Sequence, residues 1–146
     1  MIKEITGDLI GDAKHYDVIV HGANCFCTMK SGIAKQVIEN FPEAQQVDNL
    51  TTKGDRKKLG TISHTKNTTP IVVNAYTQFE FGTDKMNCDY NAMRSCLKEL
   101  KKTFGGKKIG MPQIGAGLAG GDWNIIKQII HDELNDEDVT IVYWNK

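Results

Sequence analysis

The chain has 146 residues, enough for one compact domain (1–146) with a real core and too few for two ordinary ones. Its 18 basic residues balance 18 acidic ones. No general nucleic-acid binding is therefore expected, because the broad positive field is missing, and any anion must be caught locally.

No apolar run reaches the length of a membrane span, and the opening MIKEITGDLIGD carries charges where a signal peptide needs its apolar centre. A cytoplasmic protein is expected. Cys25, Cys27, Cys88 and Cys96 are few and irregularly spaced for a disulfide scaffold, which points to reduced thiols.

In chain order, residues 2–6 alternate apolar and polar side chains as an edge or half-buried strand does, and Gly7-Asp8 ends it. Residues 17–21, with Val18, Ile19 and Val20, read as a buried central strand. A glycine-punctuated loop, GANCFCTMKSG, follows at 22–32. From Ser31, the set Ile33, Ala34, Val37, Ile38 and Phe41 forms one helical face that Pro42 stops, and residues 43–50 read as a second short helix. The charged run 53–58 reads as a surface connection. Two strands, 59–65 and 70–76, flank the turn Asn67-Thr68-Thr69-Pro70. Residues 88–104 read as a helix with Met93, Cys96 or Leu97, and Leu100 inward, closed by Gly105-Gly106. The run 107–112 reads as a further strand, residues 123–134 repeat Trp123, Ile126, Ile129, Ile130 and Leu134 at helical spacing, and 139–144 reads as the last strand. Strands separated by helices predict a three-layer α/β/α sandwich with a mixed, mostly parallel sheet, whose ligands bind beyond the carboxyl ends of the strands.

Two loops meet that condition: 22–32, and 111–123 with the sequence MPQIGAGLAGGDW. In the second, Gly115 to Gly120 fits G-x-G-x-x-G, yet the dinucleotide fingerprint belongs to a first βαβ unit with a ribose-binding acid about 20 residues on. Here the next strand carries no acid. Glycines at two strand ends, each feeding a helix N-terminus, suit a ligand with two phosphates. Cys88 and Arg94 have the spacing of a cysteine-phosphatase loop, but the segment lacks that loop's glycines and lies on a helix. His21, Cys25 and Cys27 lack paired zinc-ligand spacing, so neither a metal nor a cofactor is expected.

Several stretches together carry a resemblance: Gly7-Asp8-Leu9, Val20-His21-Gly22-Ala23-Asn24, Ser31-Gly32-Ile33-Ala34 and the loop 111–123. Over nearly its whole length the chain resembles the macrodomains, an ADP-ribose-binding α/β/α family. Within it, His21 and Met111-Pro112-Gln113-Ile114 are similar to the yeast-type ADP-ribose 1″-phosphate phosphatases. The chain also resembles the branch that removes ADP-ribose from acidic side chains, although that branch has a lysine where Gln78 falls and an aspartate where Ala119 stands.

The resemblance implies roles. Asp8 accepts from the adenine amino group, with Leu9 and Ile10 along the base and Trp144 flanking it. Asn24 bonds the distal ribose. Ser31, Gly32 and Ile33 serve one phosphate, and Gly115, Ala116, Gly117, Leu118, Ala119 and Gly120 the other. Each has a plainer reading: a turn aspartate for Asp8, a loop asparagine for Asn24, N-caps for Ser31 and Asp122, core packing for Trp144. His21 is the sharpest catalytic residue, a group that titrates near neutrality at a strand end, with Asp122 second and a carbonyl-bonded core histidine as its alternative. The expected reaction is hydrolysis of the 1″-phosphate by in-line water attack, giving ADP-ribose and phosphate. A non-catalytic ADP-ribose-binding module and removal of ADP-ribose from protein or nucleic acid are the alternatives. The expected partner is a small molecule, with no membrane, and a monomer is the default.

Overall fold

The computed structural model describes residues 1–29, 32–81, 86–116 and 119–144. Six strands, β1 (Ile2–Gly7), β2 (Val18–Ala23), β3 (Ile62–His64), β4 (Ile71–Tyr76), β5 (Ile109–Met111) and β6 (Val139–Trp144), form one sheet in the order β1-β6-β5-β2-β4-β3. All neighbours run parallel except β3, which is antiparallel to β4 at the edge. The sheet is mixed and mostly parallel, as the pattern of alternating strands and helices predicts.

Helices α1 (Ile33–Asn40) and α2 (Pro42–Asn49) cover one face, and α3 (Tyr90–Phe104) and α4 (Trp123–Leu134) the other. Parity along β2 explains how both faces are filled. Val18 and Val20 join Met93, Leu97, Ile126 and Ile130, whereas Ile19 joins Val37 and Ala44 on the opposite side. A strand buried on both faces must be apolar at consecutive positions, and each fully buried aliphatic side chain contributes about 1.5–3 kcal/mol.

The helix starts differ in ways the chain makes plain. Asp89 caps α3 by accepting from the Ala92 amide at 2.9 Å, and Asp122 caps α4 by accepting from the Asn124 amide at 2.9 Å. Pro42 ends one helix and begins the next at the N1 position, where its missing N–H costs nothing. Gly32, with φ 61° and ψ −142°, precedes α1, supplies no capping side chain, and no acid follows in the first turn.

Two expectations fail. The strand read at 59–65 shrinks to Ile62–His64 because residues 56–58 coil into a 3-10 turn capped by Asp55 and Gly60 takes φ +87°. Nor is the charged run 53–58 wholly superficial. Lys58 is only 7% exposed, donating to the Cys25 carbonyl at 3.1 Å with its ammonium over the Tyr76 ring.

Candidate functional site

A cavity of about 740 Å³ opens at the carboxyl ends of β1, β6, β5, β2 and β4. Sheet order gives it two ends. At one, Asp8, Leu9 and Ile10 follow β1, beside Val142 and Trp144 of β6. The parallel register places Gly7 opposite Trp144, which is why residues so distant in sequence share this end. Asp8 Oδ1 accepts from the Gly11 amide at 3.0 Å, a local turn that leaves Oδ2 without a protein partner among the described residues. Leu9 and Ile10 are buried while Trp144 is 56% exposed. At the other end Gln78 and Phe81 follow β4.

Between the ends the two glycine loops meet. Gly22, Ala23 and Asn24 continue β2, and Gly32, Ile33 and Ala34 at the start of α1 stand on the same wall. The Asn24 amide nitrogen donates to the Thr28 carbonyl at 3.0 Å and to Thr28 Oγ1 at 2.7 Å, and its oxygen accepts from the Phe26 amide at 2.8 Å. Both amide protons are therefore committed to shaping the loop, and only an oxygen lone pair is left for a ligand.

From β5, Pro112, Gln113, Ile114, Gly115 and Ala119 complete the wall. Gly115 has φ +78°, and a Cβ there would stand 2.7 Å from Met93 Cε and 2.9 Å from Cys88 Sγ, so only glycine fits. The Gly121 amide donates to the Gly115 carbonyl at 2.9 Å, while the Ala119 carbonyl accepts from the Asn87 and Cys88 amides at 2.8 and 3.2 Å. A Cβ on Gly22 would lie 3.9 Å from the Gly115 amide nitrogen, so the two loops abut on the cavity floor.

Of the residues singled out from the sequence, Asp8, Leu9, Ile10, Asn24, Gly32, Ile33, Gly115, Ala119 and Trp144 line this cavity. Ser31, Gly117 and Leu118 lie outside the described residues. Ala116 and Gly120 belong to the loop but not to the wall.

The two catalytic candidates lie off this wall. His21 is 2% exposed and faces away, its Nε2 2.6 Å from Asn74 Oδ1 and its Nδ1 without a partner among the described residues. Burial pushes its pKa below the usual imidazole value, against the opposing pull of the Asn74 hydrogen bond and the Asp48 charge, and so favours the neutral ring. Its orientation follows from strand parity, which puts it on the face of Ile19, and its position from strand length. β2 runs on to Ala23, so His21 lies inside the sheet opposite Asn74 and not at its end. Asp122 is exposed, occupied as the α4 cap, and off the wall.

The Cys88 thiol is buried and pushed up to about 11 by desolvation, while Arg94 pairs with Glu133 at 2.7 Å on the α3–α4 surface. The two are not arranged as a phosphatase loop.

Gln36 and Phe81 on the wall were not foreseen from the sequence, and Gln78 entered only through the resemblance. For Gln78 and Phe81, the rule that ligands gather at strand carboxyl ends, applied to β4 as it was to β2 and β5, finds them.

Residues 20–130 match the Macro domain family. An uncharacterised 17.5 kDa protein of Enterobacteria phage T4 is 37% identical, covering 99% of this chain and 97% of its own. The macrodomain of Thermus aquaticus DarG superposes with a TM-score of 0.77 at 21% identity, covering 100% and 99% of the two chains. Thermosipho africanus DarTG, solved in complex with ADP-ribose, superposes with a TM-score of 0.71 at 18% identity over 95% of this chain and 40% of its own. With the family match spanning most of the sequence and the same fold in both solved structures, the chain belongs to the Macro domain family.

Proposed function

We propose that the cavity binds ADP-ribose, with adenine at the Asp8 and Trp144 end, the diphosphate over the two glycine loops, and the distal ribose beside Asn24. The observation that carries this reading is the start of α1. α3 and α4 each have one first-turn amide satisfied by Asp89 or Asp122, whereas α1 opens on the cavity behind Gly32 with no side-chain cap among the described residues and no acid in its first turn. The first-turn N–H groups and positive dipole end of such a helix favour an anion there. Asp8 supplies the complementary acceptor for an amino group, and family membership supports the same ligand. The complex of the Thermosipho africanus protein with ADP-ribose agrees with it.

A second reading, hydrolysis of ADP-ribose 1″-phosphate, is favoured by Pro112, Gln113 and Ile114, which carry the phosphatase-like sequence and stand on the wall. Among the described lining residues the only titratable side chain is Asp8, at the far end. Turnover would therefore use water, not a histidine relay. The water oxygen bonds to phosphorus and gives up a proton to solvent, the bond from phosphorus to the ribose oxygen breaks, and that oxygen keeps the electron pair and takes a proton from solvent. Loop amides and the Gln113 side chain would stabilise the charge that develops.

Calorimetry with ADP-ribose, AMP and NAD, run beside a phosphate-release assay on ADP-ribose 1″-phosphate, tests both readings. ADP-ribose should bind more tightly than either competitor, since AMP lacks the second phosphate and distal ribose and NAD carries a bulky base where a hydroxyl or phosphate belongs. Equal affinity for AMP and ADP-ribose would sink the binding reading. Binding without phosphate release would remove only the phosphatase reading.

A further inference from the structure

We propose that Cys27 is a thiol switch on the underside of the β2–α1 loop, oxidised by hydroperoxides with Lys58 as proton relay, and that its oxidation weakens binding in the cavity. The thiol chemistry stands on its own geometry, and the effect on binding rests on the ADP-ribose reading. Of the four cysteines, Cys25, Cys88 and Cys96 are sealed in the core, where burial pushes each thiol up and keeps it inert. Cys27 is half-buried, so its sulfur is the one a small solute reaches.

A buried cation is aimed at that sulfur. Lys58 Nζ lies 3.6 Å from Cys27 Sγ, donates to the Cys25 carbonyl at 3.1 Å, and stands 4.8 Å from the centre of the Tyr76 ring. The side chain is nine-tenths buried and has no carboxylate partner among the described residues. An ammonium withdrawn from water without an anion beside it is costly, and a methionine would fill the same space without that cost. The charge becomes useful when negative charge forms next to it, on the sulfur as its proton leaves and on the oxygen that departs from a hydroperoxide.

In the step itself the Cys27 sulfur attacks the terminal oxygen of the hydroperoxide. The S–O bond forms as the O–O bond breaks, and the sulfur gives two electrons to the departing oxygen. Lys58 hands that oxygen a proton and recovers one from the thiol. Thiol and hydroperoxide thus end as a sulfenic acid and an alcohol, or water where the oxidant is hydrogen peroxide.

The sulfur has no room for the new oxygen where it stands. It donates to the Asp48 carbonyl at 3.3 Å, with Thr51 Oγ1 at 3.6 Å and the Thr51 carbonyl at 3.9 Å. Cys27 is also the one non-glycine residue with positive φ among the described residues, at 58°, a backbone that persists only while its surroundings hold it. Oxidation pushes the sulfur off those contacts and frees the backbone to relax. The turn that gives way is the one Asn24 closes on Thr28, and Thr28 and Met29 stand on the cavity wall. The wall therefore shifts although no group enters the cavity.

The test treats the wild-type chain, Cys27→Ser and Lys58→Met with hydrogen peroxide, traps sulfenic acid with dimedone, maps it by peptide mass spectrometry, and follows ADP-ribose binding by calorimetry. Cys27 should be labelled ahead of Cys25, Cys88 and Cys96. It should also react about tenfold or more faster in the folded chain than in the chain unfolded in urea, where exposure is complete but Lys58 is no longer adjacent. Lys58→Met should remove that acceleration, and if this variant does not fold, the folded-to-unfolded ratio of the wild type decides alone. Oxidation should lower ADP-ribose affinity about tenfold, within the usual range for coupling between two sites, and dithiothreitol should restore it. Cys27→Ser should bind as the reduced wild type does and ignore peroxide. A Cys27 that reacts no faster folded than unfolded, or an oxidised chain with unchanged affinity, overturns the proposal. If the reduced chain does not bind ADP-ribose, the ADP-ribose reading falls, and the rate comparison still judges the thiol site.

Discussion

The two glycine loops look alike in sequence and spend their hydrogen bonds differently. The β5–α4 loop bonds to itself through Gly121 and Gly115, ties Ala119 to the lead-in of α3, and ends in a capped helix. The β2–α1 loop is shaped by the Asn24 side chain and then delivers to the cavity a helix with no side-chain cap among the described residues. One loop uses its polar groups to hold its own form, and the other brings a helix start to the ligand. Glycine content alone does not tell a scaffold from a cradle.

The largest effect should come from breaking the self-bonded loop. Gly115→Val places Cβ within 3 Å of Met93 and Cys88 at positive φ, so overpacking and backbone strain together should cost about 3 kcal/mol or more, lowering the melting temperature and ligand binding together. A variant that melts normally and merely binds poorly would mean that the loop is not the scaffold described.

A smaller and oppositely signed effect is expected in the other loop. Ala34→Asp puts a carboxylate in the first turn of α1, which should stabilise the helix by about 0.3–1 kcal/mol while repelling the diphosphate. Calorimetry should show ADP-ribose affinity falling about tenfold or more, equivalent to about 1.4 kcal/mol, with no loss of melting temperature. Unchanged affinity would show that α1 does not face the anion.

The smallest effect concerns His21, which belongs to neither loop. Its pKa is lowered in the fold, so the unfolded chain binds its proton more readily. Stability linked to this group is therefore complete above the unfolded value of about 6.5 and is lost as the pH falls through the folded value. His21→Gln should make urea midpoints less sensitive to pH below about 6.5 and leave ADP-ribose affinity unchanged. A loss of affinity without loss of stability would return His21 to the site.

The same histidine shows where sequence reading stopped. Strand identity, helix faces and the two loops were legible because periodicity and glycine spacing record them locally. Whether His21 stands at the strand end or inside the sheet depends on whether β2 ends at position 21 or 23, a difference set by pairing of Gly22 and Ala23 with Ala75 and Tyr76, more than fifty residues away. Lys58 escaped for a related reason. It sits in a charged run, and only the folded chain brings the Cys25 carbonyl to its ammonium. Asn24 stands on the cavity wall, and only the folded chain shows that its amide protons go to Thr28.

The position of β1 bears on how tightly any ligand can be held. This strand lies at the edge of the sheet, pairs with β6 alone, and exposes most of its length, yet the acceptor Asp8 follows directly from it. An element held on one side can detach locally without global unfolding. Were β1 to open, Asp8 would leave the cavity, and apparent affinity would be intrinsic affinity scaled by the closed fraction. Whatever grips β1 from outside, a ligand at Asp8 or a neighbour on its free edge, tunes recognition without touching the diphosphate loops.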